Sequence, residues 1–301
     1  MAYNKSEKAI LKTITYSDIF NSPVLESELW RFLISEKKIN KEDFEKSLIS
    51  LSSKIIHKDG MYCLSGREEN IIRRKMQLPE AAKKVRLAKQ AAYVLSHIPT
   101  VSFIGLSGGV AVGNVHEEDD IDFFIITKKN TLYMTRFFIL IILEALGLRR
   151  KRNDSNPANK ICANFLIDET ALIWPIKSRD IYTAHEIVHV KPLFERNGMY
   201  RKFLSNNEWT KVFYPNADPH RVAFTEPSHY FTINVFSRIL TLLPMEFVMK
   251  VVQKSLIKRS RTREFVSNHV LAFHPHDYRR QTIRDFEKKL KGLGIAILGS
   301  R

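Results

Sequence analysis

The first sixty-odd residues alternate apolar and polar positions with helical spacing. Ala9, Ile10, Ile14, Ile19 and Phe20 share one face over residues 5–20, with lysine and glutamate opposite. Asn21-Ser22-Pro23 ends this helix and opens a second, whose stripe is Leu25, Leu29, Trp30, Phe32 and Leu33. Asn40, with an acid three residues on at Asp43, predicts an N-cap and a third helix running to Leu51. Residues 54–64 then change to period two around Asp59-Gly60, a strong turn dipeptide, and predict a hairpin. A basic helical connector follows over 67–98, and Pro79 predicts its division into two helices. Its cations, including Arg74 and Lys84, are expected to be mainly solvated.

The pattern changes again at residues 101–127. An apolar run ends at Ser107-Gly108-Gly109, a short small-residue segment closes on Gly113-Asn114, and an acidic loop leads into a second apolar run headed by Asp120-Ile121-Asp122. Residues i and i+2 of a strand face the same way, so Asp120 and Asp122 should stand side by side at its mouth. Adjacent carboxylates repel, and a cation between them best explains the pair. The glycines leave backbone N–H groups open to a phosphate. Residues 130–147 predict an apolar helix capped by Gly147, followed by Arg149-Arg150-Lys151-Arg152 and Lys160. Residues 161–167 predict a third strand, and 171–175 are expected to finish the sheet.

The spacing Gly108-Gly109, Gly113-Asn114 and Asp120-Ile121-Asp122 resembles the signature of the DNA polymerase β-like nucleotidyltransferase superfamily, over residues 101–168. The resemblance implies that Asp120 and Asp122 bind Mg²⁺, or Mn²⁺ in its place. It also implies that Ser107, Gly108, Gly109, Gly113 and Asn114 shape and hold a nucleoside triphosphate, with Lys160 as a phosphate contact. Gly109 stands where serine is frequent, so one hydroxyl contact is absent. The superfamily's third carboxylate belongs early on the third strand, beside the pair. Asn164 occupies that place, whereas Asp168 lies near the far end. Asn164 can lend a carbonyl oxygen to a metal but cannot act as a general base. The N-terminal helices and hairpin resemble a winged-helix domain. The third helix carries Lys41, Glu42, Asp43, Glu45 and Lys46, a net acid that would oppose DNA phosphates. A structural or protein-contact role is therefore expected for this module.

A rival signal lies at His185-Glu186-Ile187-Val188-His189, the H-E-x-x-H of zinc metalloproteases, with Glu208 downstream as a conceivable third ligand. Pro192 truncates that helix soon after the second histidine. Residues 176–220 also resemble a helical block attached to some bacterial and archaeal nucleotidyltransferase-domain proteins. Further on the chain reads as helical, with an amphipathic stretch at 231–257, a basic linker at 258–263, a histidine-bearing loop with His269, His274 and His276, and a basic helix over 279–291.

Charge sharpens this picture. The formal net charge is +16. Residues 1–66 carry ten Lys/Arg against nine Asp/Glu, but residues 250–301 carry thirteen against four. The basic character therefore sits towards the C-terminus, where it favours an anionic acceptor such as nucleic acid or a phosphorylated molecule. The two cysteines, Cys63 and Cys162, fit buried thiols in a reducing cytosol. No apolar run predicts a membrane span or a signal peptide, so a cytoplasmic location is expected.

The sequence thus predicts an α+β protein. Its parts are a winged-helix-like domain (1–66), a connector (67–98), a nucleotidyltransferase core with a small mixed β-sheet (99–175) and a helical C-terminal region (176–301). The expected activity is Mg²⁺-dependent transfer of a nucleoside monophosphate from an NTP. The alternative is an NTP-sensing regulatory protein with weak or lost catalysis, which Asn164 favours.

Overall fold

The computed structural model describes residues 3–151, 154–217, 245–259, 265–273 and 278–296. It is an α+β fold. The first helix, α1 (Lys5–Ile19), is capped by Asn4, whose side chain accepts from the Glu7 N–H while the Glu7 carboxylate accepts from the Asn4 N–H. A short strand β1 (Val24–Leu25) and helix α2 (Glu26–Arg31) follow. The expected second helix is therefore shorter at both ends: Leu25 pairs with Met61 across a sheet, and Phe32 and Leu33 lie beyond the helix. Helix α3 (Lys41–Ser50) starts at the predicted Asn40 cap. Strands β2 (Ile55–Lys58) and β3 (Met61–Leu64) form the predicted hairpin, with Asp59 and Gly60 both at positive φ, as a type I′ turn requires. The three strands pair in the order β1-β3-β2.

The connector is a single helix, α4 (Glu69–Leu95), with Pro79 inside it, so the expected break does not occur. An internal proline costs about 3 kcal/mol through one lost hydrogen bond and a clash. Here Pro79 and Lys75, whose carbonyl loses its partner, are both exposed, so water can serve that carbonyl. Buried side chains also anchor the helix on both sides of the proline. Arg74 is 3% exposed and donates to the carbonyls of Pro23 and Val112. Lys84 is fully buried and donates to the carbonyls of Glu117 (2.9 Å) and Asp119 (2.8 Å). Two cations expected in solvent instead pin the glycine turn and the acidic loop.

The main sheet has six strands in the order β7-β4-β5-β6-β9-β8. Strand β4 (Val101–Leu106), the short helix α5 (Gly108–Val112) and strand β5 (Ile121–Thr127) come from the signature stretch. Helix α6 (Leu132–Ala145) returns the chain to the predicted third strand, β6 (Ile161–Asp168), which runs parallel to β5. Residues 171–175 form no strand. The edge beside β4 is filled by β7 (Lys191–Glu195), which follows helix α7 (Ile181–Val188). Pro192 is tolerated in β7 because the strand is at the sheet edge. After helix α8 (Met199–Ser205) and helix α9 (Met245–Arg259), strands β8 (Phe265–Val266) and β9 (Val270–Ala272) extend the other side of the sheet. Residues 176–296 thus contribute three strands to the sheet of the core, alongside their helices.

Helix α10 (Tyr278–Gly292) lays Phe286 and Leu290 against α1, and Lys289 pairs with Asp18 at 2.6 Å. One face of the expected basic helix is therefore committed to packing. His274 and His276 and residues 231–244 lie outside the described residues.

Candidate active site

The apolar strands β4 and β5 bury their side chains almost completely, which fixes the turn at their ends against the mouth of β6. Gly108 opens α5 at φ +65°, and a Cβ there would stand 2.6 Å from Asp122 Oδ2. The turn can close on the aspartate only with glycine in that place. Gly109 is equally constrained: a Cβ would meet the Asn114 carbonyl oxygen at 2.6 Å. Glycine at this position lets the loop fold tightly on itself. Gly113 ends α5 in the left-handed region, as its place in the motif implied.

Asp120 precedes β5 and Asp122 is its second residue, and both border one cleft. Ligand atoms of Asp120, Asp122 and Cys162 all lie within 4.8 Å of one another. Asp122 and Cys162 are register partners across the parallel strands. Asn164 stands beside them, its amide donating to Asp122 Oδ1 at 2.6 Å. Among the described residues its side-chain Oδ1 is buried without a partner. Burial first, and then the negative charges of Asp120 and Glu186, push the Asp122 carboxyl up to about 7. Burial also raises Asp120, against the pull of the Arg150 guanidinium beside it. Burial drives Cys162 far upward, so at neutral pH it is a thiol, and it donates to Asp120.

This donor set fits a hard divalent cation. Two carboxylates and an unpartnered amide oxygen are oxygen ligands of the kind Mg²⁺ takes, whereas a protonated thiol does not compete for it. A cation here would also relieve the repulsion that raises Asp122.

The structure distributes the other expected residues as follows. Ser107, Gly108, Gly109 and Asn114 border the cleft with the aspartates. The Asn114 side chain donates to the Phe20 carbonyl at 3.1 Å and so ties the glycine turn to the end of α1. Lys160 turns away: its ammonium donates to the Gly147 carbonyl at the end of α6 (2.6 Å). Within the basic run, Arg149 and Lys151 pair with Glu144, and Arg150 reaches Asp120 in the cleft. Asp168 lies at the far end of β6, fully buried, and takes no part in the cleft.

The far wall of the cleft comes from α1 and α7. The cavity between wall and floor has a volume of about 560 Å³. Tyr16 and Phe20 of α1, and Tyr182, His185, Glu186 and His189 of α7 or its end, face the same space as the aspartates. The H-E-x-x-H segment is thus part of this cleft. Its imidazoles stack on each other with centroids 3.9 Å apart, and His189 Nδ1 donates to the His185 carbonyl. Glu208 is exposed and paired with Lys211. Among the described residues no third ligand gathers around the two histidines. Burial lowers both imidazoles, His185 to about 4, so both are neutral at pH 7.

No family model and no curated protein matches the sequence. Among solved structures, a toxin–antitoxin with AMP-PNP is similar at 17% identity, covering 41% of this chain and 90% of that one, with a TM-score of 0.26. A toxin–antitoxin MntA–HpeT mutant is similar at 15% identity, covering 44% and 90%, with a TM-score of 0.24. Likeness at this level carries no inference about this chain. Among the described residues no helix is long and apolar enough to cross a membrane.

Proposed function

We propose that the chain is a nucleotidyltransferase that uses an NTP and a divalent cation, Mg²⁺ foremost. The carrying observation is the convergence of Asp120, Asp122 and the unpartnered Asn164 oxygen on a glycine turn inside a cleft. Asp120, Asp122 and Asn164 would hold the ion, which supplies charge neutralisation to the triphosphate and to departing pyrophosphate. Ser107 and the backbone N–H groups of Gly108 and Gly109 are the candidate phosphate donors. Gly113 and Asn114 fix the turn that presents them. Arg150, already beside Asp120, is the cation placed to offset charge on the phosphates. We assign it that role in preference to Lys160, which is engaged at Gly147. Asn164 cannot take the acceptor's proton.

A second reading has an observation of its own. The Asn164 amide hydrogen bonded to Asp122 puts a neutral group where a third carboxylate would stand, which suits NTP sensing without transfer. Both readings require cation-dependent NTP binding, and only the first requires pyrophosphate release. The test incubates the full chain with α-labelled NTP, Mg²⁺ and candidate acceptors, including nucleic acid and phosphorylated small molecules. The expected result is acceptor labelling with pyrophosphate release, abolished in Asp120→Ala and Asp122→Ala. Transfer that survives both substitutions rules this site out.

A further inference from the structure

Four aromatic rings run in series along the wall that faces the aspartates. Tyr16 and His185 have centroids 5.0 Å apart, His185 and His189 3.9 Å, and His189 and Phe32 4.0 Å. The residues come from α1, from the segment after α2 and from α7, so the row is assembled by tertiary packing. All four border the cavity that holds Asp122.

The row is more polar than packing alone requires. Tyr16 borders the cavity, Tyr214 borders it beside the histidines, and each is 1% exposed. Among the described residues neither hydroxyl has a hydrogen-bond partner. Burying an unpartnered hydroxyl is destabilising, and phenylalanine in either place would avoid that cost. His189 is neutral, and its Nδ1 proton is committed to the His185 carbonyl. Its Nε2 is therefore an acceptor. The four rings cover one another's faces, so the wall offers ring edges, two phenolic hydroxyls and an imidazole acceptor. A phosphate or a carboxylate can take the hydroxyl donors but not the imidazole acceptor. A heterocyclic base has a mixed donor and acceptor edge that uses both. The volume of about 560 Å³ lies within the usual range for small-ligand pockets.

We infer that the row Tyr16, His185, His189 and Phe32, with the hydroxyl of Tyr214, is the nucleobase-binding wall of the cleft, and that it holds the base of the nucleotide whose triphosphate lies on the Asp120/Asp122 floor. The inference rests on the nucleotide-using reading of that floor. It turns the H-E-x-x-H segment from a metal motif into a base-recognition element. It also gives the N-terminal module a role, since α1 supplies one side of the pocket.

The test measures Mg²⁺-dependent binding of ATP, GTP, CTP, UTP and inorganic tripolyphosphate to the full chain by calorimetry. Wild type, Tyr16→Phe, Tyr214→Phe and the double variant are compared. Wild type should bind at least one NTP about ten-fold or more tighter than tripolyphosphate, as expected when the base adds hydrogen bonds of its own. Each Tyr→Phe change should weaken that NTP by about three- to ten-fold, the size of one hydrogen bond, and reduce discrimination among the four bases. Tripolyphosphate affinity should stay the same, and the variants should melt no lower than wild type, because each loses only an unpartnered hydroxyl. NTPs that bind no tighter than tripolyphosphate, or Tyr→Phe variants with unchanged NTP affinity, overturn the wall assignment while leaving the floor intact. Failure of every NTP and of tripolyphosphate to bind in Mg²⁺ removes the floor reading and the wall with it.

Discussion

Two aspartates at opposite ends of one strand pair have opposite surroundings. Asp168 ends β6, fully buried, and every hydrogen bond it needs is made: it accepts from the N–H groups of Asn130 (3.2 Å) and Thr170 (2.9 Å) and from the Thr170 hydroxyl, and it meets His269 at 2.8 Å. Asp122 begins β5, accepts from Asn164, and faces the negative charges of Asp120 and Glu186. One carboxylate is placed to hold a loop together, and the other is left short of positive charge. The difference teaches that burial alone does not mark a functional acid. What marks it is burial in a cleft with its electrostatic demand unmet.

The largest predicted effect separates the two roles. Asp122→Asn should reduce nucleotidyl transfer by at least about a thousand-fold, as loss of metal-held charge stabilisation implies, with the melting temperature unchanged or raised. Asp168→Ala should do the opposite. It leaves buried N–H donors unpaired and should cost about 3 kcal/mol in denaturant unfolding, with NTP affinity of the folded fraction intact.

Next in size is a pH effect. The Asp122 carboxyl is raised from about 4 in the unfolded chain to about 7 in the folded one. Its contribution to stability is therefore full below pH ~4 and is lost as pH rises to ~7, a change on the order of a few kcal/mol. The metal-free protein should lose stability over this window. Asp122→Asn should flatten the loss, and Mg²⁺ at pH 8 should restore what was lost. An equal slope in wild type and variant would remove the claim of unmet charge.

A smaller effect is expected at the turn. Gly109→Ser adds the hydroxyl that the resemblance led one to expect but places a Cβ against the Asn114 carbonyl. It should destabilise by about 1–3 kcal/mol and weaken NTP binding instead of improving it. The smallest contrast lies among the cations. Arg150→Ala should weaken NTP binding by about ten-fold, the loss of one charge-assisted contact. Lys160→Ala should change it by no more than about two-fold, since its ammonium is held at Gly147.

Much of this architecture is legible in local sequence because it rests on local physics. The Asn40 cap, the Asp59-Gly60 turn and the Asp-x-Asp at the head of β5 follow from period and turn chemistry, and the place of Asn164 beside the pair followed from the superfamily resemblance. What was not legible depends on partners far along the chain. Pro79 suggested a break, but the helix is held across it by Arg74 and Lys84, whose acceptors lie at Pro23, at the end of α5 and in the acidic loop. Residues 171–175 looked like the last strand, whereas the sheet takes β7 on one side and β9 and β8 on the other. The His-Glu-His motif is visible in sequence, but not that its rings stack with Tyr16, some 170 positions earlier in the chain. Cys162 gave no sign of its place beside the aspartates until the register of β5 and β6 was known.

The central claim is that Asp120, Asp122 and Asn164 form a cation site on which a triphosphate rests. Its most direct test is calorimetric titration of the full chain with a non-hydrolysable NTP analogue, in Mg²⁺ and in EDTA, for wild type and for Asp120→Asn/Asp122→Asn. Binding in Mg²⁺ that disappears in EDTA and in the double variant is the predicted result. Binding of equal strength in EDTA, or in the double variant, would contradict it.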